Sequence, residues 1–142
     1  MLRIKNVLGA KGSAIFAVGP DDPVLEAIRL MAEHHVGALL VMRGSELAGI
    51  VSERDYARKV VLLGRSSAET PTWQIMSSPV VSVTPEDSVN SCLALMTERR
   101  IRHLPVVVGS EVLGVVSIGD LVKAVIDDQR LQIEDLERFI RS

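Results

Sequence analysis

The sequence predicts an α/β (α+β) fold in which a β-α-β-β-α unit occurs twice, with the two copies packed about a pseudo-two-fold axis. Residues 17–61 align without a gap on residues 82–126, at an offset of 65. The matches include Pro, Gly, Ser and Asp positions as well as apolar ones, so they go beyond the likeness of two amphipathic helices. Because 47% of the residues are hydrophobic and 3% aromatic, a sizeable aliphatic core is expected.

Each copy is predicted to begin with a short strand, followed by a turn and a helix. Val89, Leu93 and Met96 recur at the spacing of one helical face, which indicates the buried side of the second helix. Asp22 and Ser88 are the candidate N-caps of the two helices. The strands are expected at residues 15–18 and 80–83, and the helices end near residues 33 and 98, in His34-His35 and Arg99-Arg100.

A buried strand, a hairpin turn and a return strand follow each of these helices, and then another helix begins near Ser52 or Ser117. The run Val106-Val107-Val108 is typical of strands that are covered on both faces. The predicted strand pairs are residues 37–41 with 47–51 and residues 104–108 with 112–116.

The repeat suggests three segments along the chain. Residues 1–66 contain the first copy with its N-terminal lead, and residues 67–128 contain the connector and the second copy. The connecting stretch at residues 64–72 is predicted to be a loop, because it is rich in Ser, Thr, Gly and Pro. Residues 129–142 form an amphipathic helix, which can cover this molecule or join a dimer. Its apolar residues, set among charges, are Leu131, Ile133, Leu136 and Ile140.

Composition excludes several classes of function. A net charge of −2 argues against a general nucleic-acid-binding protein, and the lone Cys92 excludes an internal disulfide. We find neither the apolar region of a secretory signal nor an apolar run of about 18 residues, so a cytoplasmic protein without a membrane span is expected. His34, His35 and His103 are joined by no cysteine or carboxylate cluster, so no metal site is expected.

Both copies carry Gly-apolar-apolar-Ser-x-x-Asp where the last strand meets the last helix, as GIVSERD at residues 49–55 and GVVSIGD at residues 114–120. Two such motifs, in register within a tandem repeat, resemble the CBS domain, which is named after cystathionine beta-synthase. The family's Leu-Pro-Val strand stands here as Leu104-Pro105-Val106, whereas the first copy has Leu40 in place of the proline. The resemblance covers about residues 11–128 and is greatest to short stand-alone CBS-pair proteins of bacteria and their organellar relatives.

The resemblance implies a tandem CBS module that binds an adenosine-containing ligand, such as AMP, ADP, ATP or NAD, or in some relatives S-adenosylmethionine. It also implies a homodimer of CBS pairs and a regulatory role in signal transduction, exerted on a protein that the sequence does not identify. Catalysis is not a usual activity of these domains, so neither catalytic residues nor a catalytic cofactor are expected.

Carried over residue by residue, the resemblance implies two clefts, each with a ribose-binding aspartate from one copy and base or phosphate contacts from the other. An ionised aspartate is an acceptor only, which suits the two donors of a ribose diol, and a helix start favours anions. In site A, Ser52 and Asp55 would meet the ribose, with cations of the second copy near the phosphates. The full set for site A is Ser52, Asp55, Val80, Val81, Arg102, His103, Leu104 and Pro105.

In site B, Ser117 and Asp120 would bind the ribose, and first-copy residues would line the base pocket. The full set for site B is Ser117, Asp120, Ala14, Ile15, Val36, Gly37, Ala38, Arg54 and Lys11. The copies differ where phosphates would bind, so the sites are expected to be unequal. Site A is expected to be better suited to a phosphate, whereas site B would rely on Arg54 together with Lys11 for its phosphate contacts. The differing pairs are Gly37 against Arg102, Ala38 against His103, and Arg54 against Gly119.

Other interpretations remain open from the residues alone. The serine–aspartate pairs can act as helix caps without binding a ligand, although capping does not require the same pair twice. A ligand-independent dimeric scaffold is the main alternative function. An enzyme is less favoured, because no P-loop, nucleophile elbow or paired acid and base is present. RNA or DNA binding through Arg99, Arg100 and Arg102 is a minor option that salt dependence would reveal.

Overall fold

The computed structural model describes residues 1–11 and 14–141, which divide into two units. The first-copy unit comprises residues 14–81 and 109–112, and the second-copy unit has the described residues 1–11, 82–108 and 113–141. The helices and strands are α1 (Ile4–Lys11), β1 (Ala17–Val18), α2 (Val24–His34), β2 (Ala38–Arg43), β3 (Glu46–Ser52), α3 (Glu53–Tyr56), α4 (Val89–Arg99), β4 (His103–Val108), β5 (Glu111–Ser117) and α5 (Ile118–Arg141). This order confirms the predicted α/β fold with its duplicated unit.

The first-copy unit is built on a three-stranded sheet in the order β1-β2-β3. β1 is parallel to β2, and β2 is antiparallel to β3 through a hairpin at Gly44, whose φ of 62° suits glycine. α3 continues as a π-helical turn at Ala57–Val61. The predicted aliphatic core is present, and its buried members are Val18, Val24, Ala27, Met31, Leu39, Val41, Val51, Val60 and Ile75.

The second-copy unit has a two-stranded sheet, β4-β5, together with α1, α4 and α5. The strand predicted at residues 80–83 is reduced to a parallel bridge between Val83 and Val106, so that prediction was wrong in extent. The Val83 amide donates to the Pro105 carbonyl at 3.0 Å, and the Val107 amide donates to the Val83 carbonyl at 2.8 Å. The segment therefore pairs with β4 over one residue, although its sequence alternates like that of a strand.

The two long repeat helices start in different ways. Ser88 caps α4 as predicted, because its hydroxyl accepts from the Ser91 amide at 3.0 Å. Asp22 does not cap α2: the N-cap is Pro23, and the Asp22 carboxylate accepts from the Gly19 amide instead. The first amides of α2 are satisfied by the connector, since Val24 donates to the Thr70 carbonyl and Leu25 to the Ser67 carbonyl. The helices end, as predicted, beside His35 and Arg100, both in the left-handed conformation.

The N-terminal lead accepts a hydrogen bond from the first amide of α4, as the connector does from the first amide of α2. The Val89 amide donates to the Leu2 carbonyl, as the Val24 amide donates to the Thr70 carbonyl. The Ile4 amide donates to the Asp87 carbonyl, as the Thr72 amide donates to the carbonyl of Asp22. The lead, which the sequence-based division grouped with the first copy, thus packs in the second-copy unit.

α5 joins the last helix of the second copy to the C-terminal amphipathic segment without a break, from Ile118 to Arg141. Ser142, the last residue of that predicted segment, lies outside the described residues. Within residues 1–11 and 14–141, no helix has the length and apolarity to cross a membrane.

Candidate functional site

Ser52 and Asp55 form a reciprocal capping box at the start of α3. The Ser52 hydroxyl accepts from the Asp55 amide at 3.2 Å, and Asp55 Oδ2 accepts from the Ser52 amide at 2.9 Å. The Ser52 hydroxyl also donates to Asp55 Oδ2 at 3.0 Å, while Asp55 Oδ1 lies 3.3 Å from Lys59 Nζ. The pair is therefore held in place by its own bonds, with the carboxylate still partly exposed.

Ser117 and Asp120 repeat this arrangement at the start of α5. The Ser117 hydroxyl accepts from the Asp120 amide at 3.1 Å, and Asp120 Oδ2 accepts from the Ser117 amide at 2.8 Å. The repeat thus produces the same serine–aspartate geometry twice. All four residues take part in helix capping, which leaves part of each carboxylate accessible, so the caps are compatible with a role in ligand binding.

Lys11 distinguishes the Ser117–Asp120 pair, which we call the Asp120 element, from the Ser52–Asp55 pair, the Asp55 element. Its Nζ, at the end of α1, lies 2.6 Å from Asp120 Oδ2 and donates to the Val115 carbonyl at 2.7 Å. Partial burial by itself would raise the pKa of Asp120, but the bonds from Lys11 and Ser117 outweigh burial and hold that pKa below its ordinary value. Two residues predicted for site B, from opposite ends of the sequence, are therefore brought together.

The start of β4 lies beside the Asp120 element. The Ile118 amide donates to the Arg102 carbonyl at 2.8 Å, just as the Glu53 amide donates to the Gly37 carbonyl at 3.0 Å. His103 is half-buried, and its pKa is lowered by burial first and then by the charges of Lys11 and Arg102, with Asp120 acting in the opposite direction. Burial and these two cations therefore favour the neutral form of the His103 imidazole.

The residues predicted for site A are divided between the units. Ser52, Asp55, Val80 and Val81 belong to the first-copy unit, whereas Arg102, His103, Leu104 and Pro105 belong to the second. Leu104 and Pro105 are buried in β4, and Arg102 is exposed. The pairing of Asp55 with Arg102 and His103 in one cleft stays a prediction.

The residues predicted for site B are divided in the same way. Ser117, Asp120 and Lys11 lie in the second-copy unit, where they meet. In the first-copy unit Ala14, Ile15 and Arg54 are exposed, and Ala38 is buried at the start of β2. Their assignment to one base pocket likewise stays a prediction. The remaining members, also in the first-copy unit, are Val36 and Gly37.

Val36 and Gly37 line a cavity of about 520 Å³ within the first-copy unit. Its other walls come from α2 and α3, which sequence reasoning did not include. The spacing of residues 28, 31, 32 and 35 along one helical face is the signal that could have revealed them. These additional lining residues are Ile28, Met31, Ala32, His35, Glu53 and Tyr56.

Lys11 and Asp120 line a second cavity, of about 400 Å³, between α1 and α5 in the second-copy unit. Charged residues of α5 that were not predicted as site residues also line it, namely Lys123, Asp127 and Asp128. Across residues 1–11 and 14–141, no group of three or more His, Cys, Asp or Glu side chains is arranged to hold a metal ion.

Relatives with known sequences share most of this chain. It is 44% identical over 126 residues to the mitochondrial CBS domain-containing protein CBSX3 of Arabidopsis thaliana, covering 85% of this chain and 61% of that protein. The CBS domain-containing protein YhcV of Bacillus subtilis is 36% identical over 118 residues, covering 83% and 84% of the two chains. This chain therefore spans about three fifths of the plant relative and most of the bacterial one.

Solved structures are similar over the same region. A putative signal-transduction protein with CBS domains from Burkholderia ambifaria superposes with a TM-score of 0.86 at 52% identity, over 89% of this chain and 96% of that one. The family model of the CBS domain matches residues 12–62 and 73–127, one match for each copy of the repeat. The chain therefore belongs to the CBS domain family, as a tandem pair of CBS domains.

Proposed function

We propose that this chain is a regulatory module that binds an adenosine-containing ligand, with AMP, ADP, ATP and NAD as the candidates. The observation that carries the proposal is the duplicated serine–aspartate element, which keeps an acceptor carboxylate partly exposed at the start of α3 and of α5. Each carboxylate can accept from both hydroxyls of a ribose, which a phosphate alone would not require. Binding would alter a partner protein through a change between two states of the module.

Family membership supports the class of ligand. CBS-pair modules commonly bind adenosine ligands and act as regulators rather than as enzymes. The solved CBS domain pair of the protein MJ0100 is in complex with 5′-methylthioadenosine and S-adenosyl-L-methionine. That chain is 19% identical to this one, so the likeness extends to the fold alone, and the ligand remains our proposal.

The two elements are expected to bind unequally. Asp120 is already engaged by Lys11 at 2.6 Å, a cation delivered by another helix, whereas Asp55 faces Lys59 of its own helical segment at 3.3 Å. A ribose at Asp120 must share or displace Lys11, and a displaced Lys11 is then available to a phosphate. In contrast to the sequence-based expectation that site A suits a phosphate better, we therefore expect ligands with more phosphates to favour the Asp120 element over the Asp55 element.

Isothermal titration calorimetry with AMP, ADP, ATP and NAD tests the proposal. The double variant D55N/D120N keeps an acceptor for each serine amide but removes both charges, so it should abolish the binding heat. It also loses the ion pairs with Lys59 and Lys11, so its melting temperature should fall, and circular dichroism should show that it is still folded at the temperature of the titration. The matched control is D22N/D87N, because Asp22 and Asp87 occupy equivalent turns of the two copies and each accepts one backbone amide. Absence of heat with all four nucleotides, or equal binding by the double variant, would refute nucleotide sensing.

A ligand-independent dimeric scaffold is the second candidate. The exposed apolar residues of α5 favour the scaffold, because contiguous apolar surface of this kind is typical of protein–protein interaction sites. A scaffold would capture the same partner with and without nucleotide, and also as the D55N/D120N variant. Capture that depends on nucleotide and is lost in that variant would favour the regulatory module.

We also propose a cytoplasmic location and a homodimeric state. The Arabidopsis relative is named as mitochondrial, so fractionation of the source cells is the direct test of location. Sedimentation of the purified chain tests the oligomeric state.

A further inference from the structure

α5 carries an apolar seam, defined here as the side chains of residues 122, 126, 129, 133, 136 and 140. Their spacing alternates between four and three, which is the heptad pattern of helices that pair along their length. All positions except Gln129 are apolar, and the exposed fraction rises from 43% at Val122 to 73% at Ile140. The apolar members are Val122, Ile126, Ile133, Leu136 and Ile140.

The seam faces away from α1. The side of α5 that meets α1 is marked by Asp120, Ala124, Asp127 and Leu131, which line the cavity between the two helices. At 100° per residue these positions lie on the opposite side of the helix from the seam. The seam spans 19 residues, or about 27 Å of helix.

We infer that α5 pairs in antiparallel fashion with α5 of a second molecule of this chain. In that register Val122 meets Ile140, Ile126 meets Leu136, and Gln129 meets Ile133. Every layer then contains at least one aliphatic side chain, and a two-fold axis passes between Gln129 and Ile133. This pairing rests on the homodimeric state proposed above and specifies its surface and orientation, and it does not depend on ligand binding.

Charge selects the antiparallel direction. Lys123 and Glu137 flank the seam on one side, and the antiparallel register brings Lys123 of each molecule beside Glu137 of the other, forming two ion pairs. In the parallel register the flanking neighbours would be Val125 with Arg130 and Gln132 with Glu137, which contain no pair of opposite charges. The sequence beside the seam therefore complements itself in only one direction.

Two features limit the strength of the pairing. Arg130 meets its own counterpart near the two-fold axis, and the seam is shorter than the three to four heptads typical of an independent coiled coil. The association should accordingly be reversible and should depend on protein concentration. Replacing Arg130 by Gln removes the like-charge contact, so R130Q should tighten the dimer.

Charge exchange on the full chain, followed by sedimentation equilibrium, tests the inference. K123E and E137K each turn two attractive contacts into two repulsive ones, so each should raise the dimer dissociation constant by about tenfold. The double variant K123E/E137K should return the dissociation constant to that of the unmodified chain, because both contacts are attractive again. An equimolar mixture of the two single variants should form mixed dimers in preference to either homodimer. D135K, which has the same charge change as E137K on another face of the helix, should have no such effect.

A rival surface is the exposed apolar stretch Val61–Leu63 in the first-copy unit. If L62D dissociates the dimer while K123E and E137K leave it unchanged, association occurs there and the inference is wrong. A chain that stays monomeric at every concentration, or single variants that the double variant does not rescue, would also overturn it. Circular dichroism of each variant separates loss of pairing from loss of helix.

Discussion

At the scale of the residue, Asp120 and Asp55 occupy equivalent positions but have different partners. The partner of Asp55 is Lys59, four residues along the same helical segment, whereas the partner of Asp120 is Lys11, 109 residues away on α1. The first pairing can be predicted from helical spacing, but the second depends on how the chain folds back. Lys11 was expected to serve site B as a phosphate ligand, and its bond to the ribose-binding candidate was not foreseen.

The pH dependence of stability should reveal this ion pair. The folded-state pKa of Asp120 is below its ordinary value, so the pair stabilises the fold above the unfolded-state pKa, and the effect is lost as pH falls through the folded-state pKa. K11M should therefore lower the urea midpoint at neutral pH and have little effect in acid. K5M, which removes an exposed lysine of the same helix 3.6 Å from Glu86, is the control. A K11M deficit that is equal at both pH values would contradict this assignment.

The glycine that opens each motif has a packing role. A Cβ on Gly49 would lie 2.6 Å from Met76 Sδ and 3.0 Å from the Ser77 carbonyl oxygen, whereas a Cβ on Gly114 would meet Leu8 Cδ2 at 3.0 Å. A flexible leucine tip can move, whereas the Ser77 carbonyl accepts from the Ile50 amide of β3 and can move only if that bond is disturbed.

We expect G49A to destabilise the protein by about 1–3 kcal/mol, as overpacking does, and G114A to cost less. Chemical denaturation of both variants measures the difference. Combining G49A with M76A should recover part of the loss, because the nearest clashing atom is removed. Equal costs for the two glycine variants would show that the surroundings relax in the same way.

At the scale of the element, the starts of α2 and α4 show how far local sequence rules reach. Ser88 follows the capping rule, so its role could be predicted from its position alone. Asp22 satisfies the same rule by residue type, yet Pro23 takes the N-cap position and the connector carbonyls satisfy the helix amides. The connector was predicted as a loop from its composition, which cannot show that Thr70 and Thr72 are buried.

S88A should therefore destabilise the fold by about 1 kcal/mol, the usual cost of losing a serine cap. D22A should leave α2 intact, since it removes a bond to the Gly19 amide in the preceding turn and not a helix cap. Amide hydrogen exchange at the first turns of the two helices distinguishes these effects. Faster exchange at the start of α2 in D22A would contradict the observed capping.

At the scale of the whole molecule, duplication made the fold predictable. The offset of 65 residues carried strand and helix assignments from one copy to the other, and Gly49 and Gly114 marked the same junction in both. The same use of the repeat overpredicted the strand at residues 80–83. It was assigned by analogy with the first copy, whereas only Val83 pairs there, through a single bridge to Val106. The cavity beside Val36 was missed, since its walls combine α2 and α3, which are distant in sequence.

The N-terminal lead should stabilise the second copy. Ile4 is fully buried in the second-copy unit, so I4A should cost about 2–4 kcal/mol. Hydrogen exchange should accelerate in α4, whose first amide donates to the Leu2 carbonyl, and much less in α2. I75A is the matched variant, because Ile75 is fully buried in the first-copy unit and should produce the reverse pattern. Equal acceleration in both helices would contradict separate roles for the two segments.

The placement of the lead has a consequence for the origin of the repeat. Each copy forms hydrogen bonds with the segment that precedes the other copy in the sequence. Residues 2–5, which precede the first copy, bond to the start of α4 and the turn before it, and residues 70–73, which precede the second copy, bond to the start of α2 and the turn before it. In a chain with a single copy, the lead would precede a domain with which it does not form these hydrogen bonds. Two such chains would have to exchange leads, as in a domain-swapped dimer, and gene fusion would then turn that exchange into contacts within one chain. Cutting this protein between its copies should accordingly yield halves that fold only together.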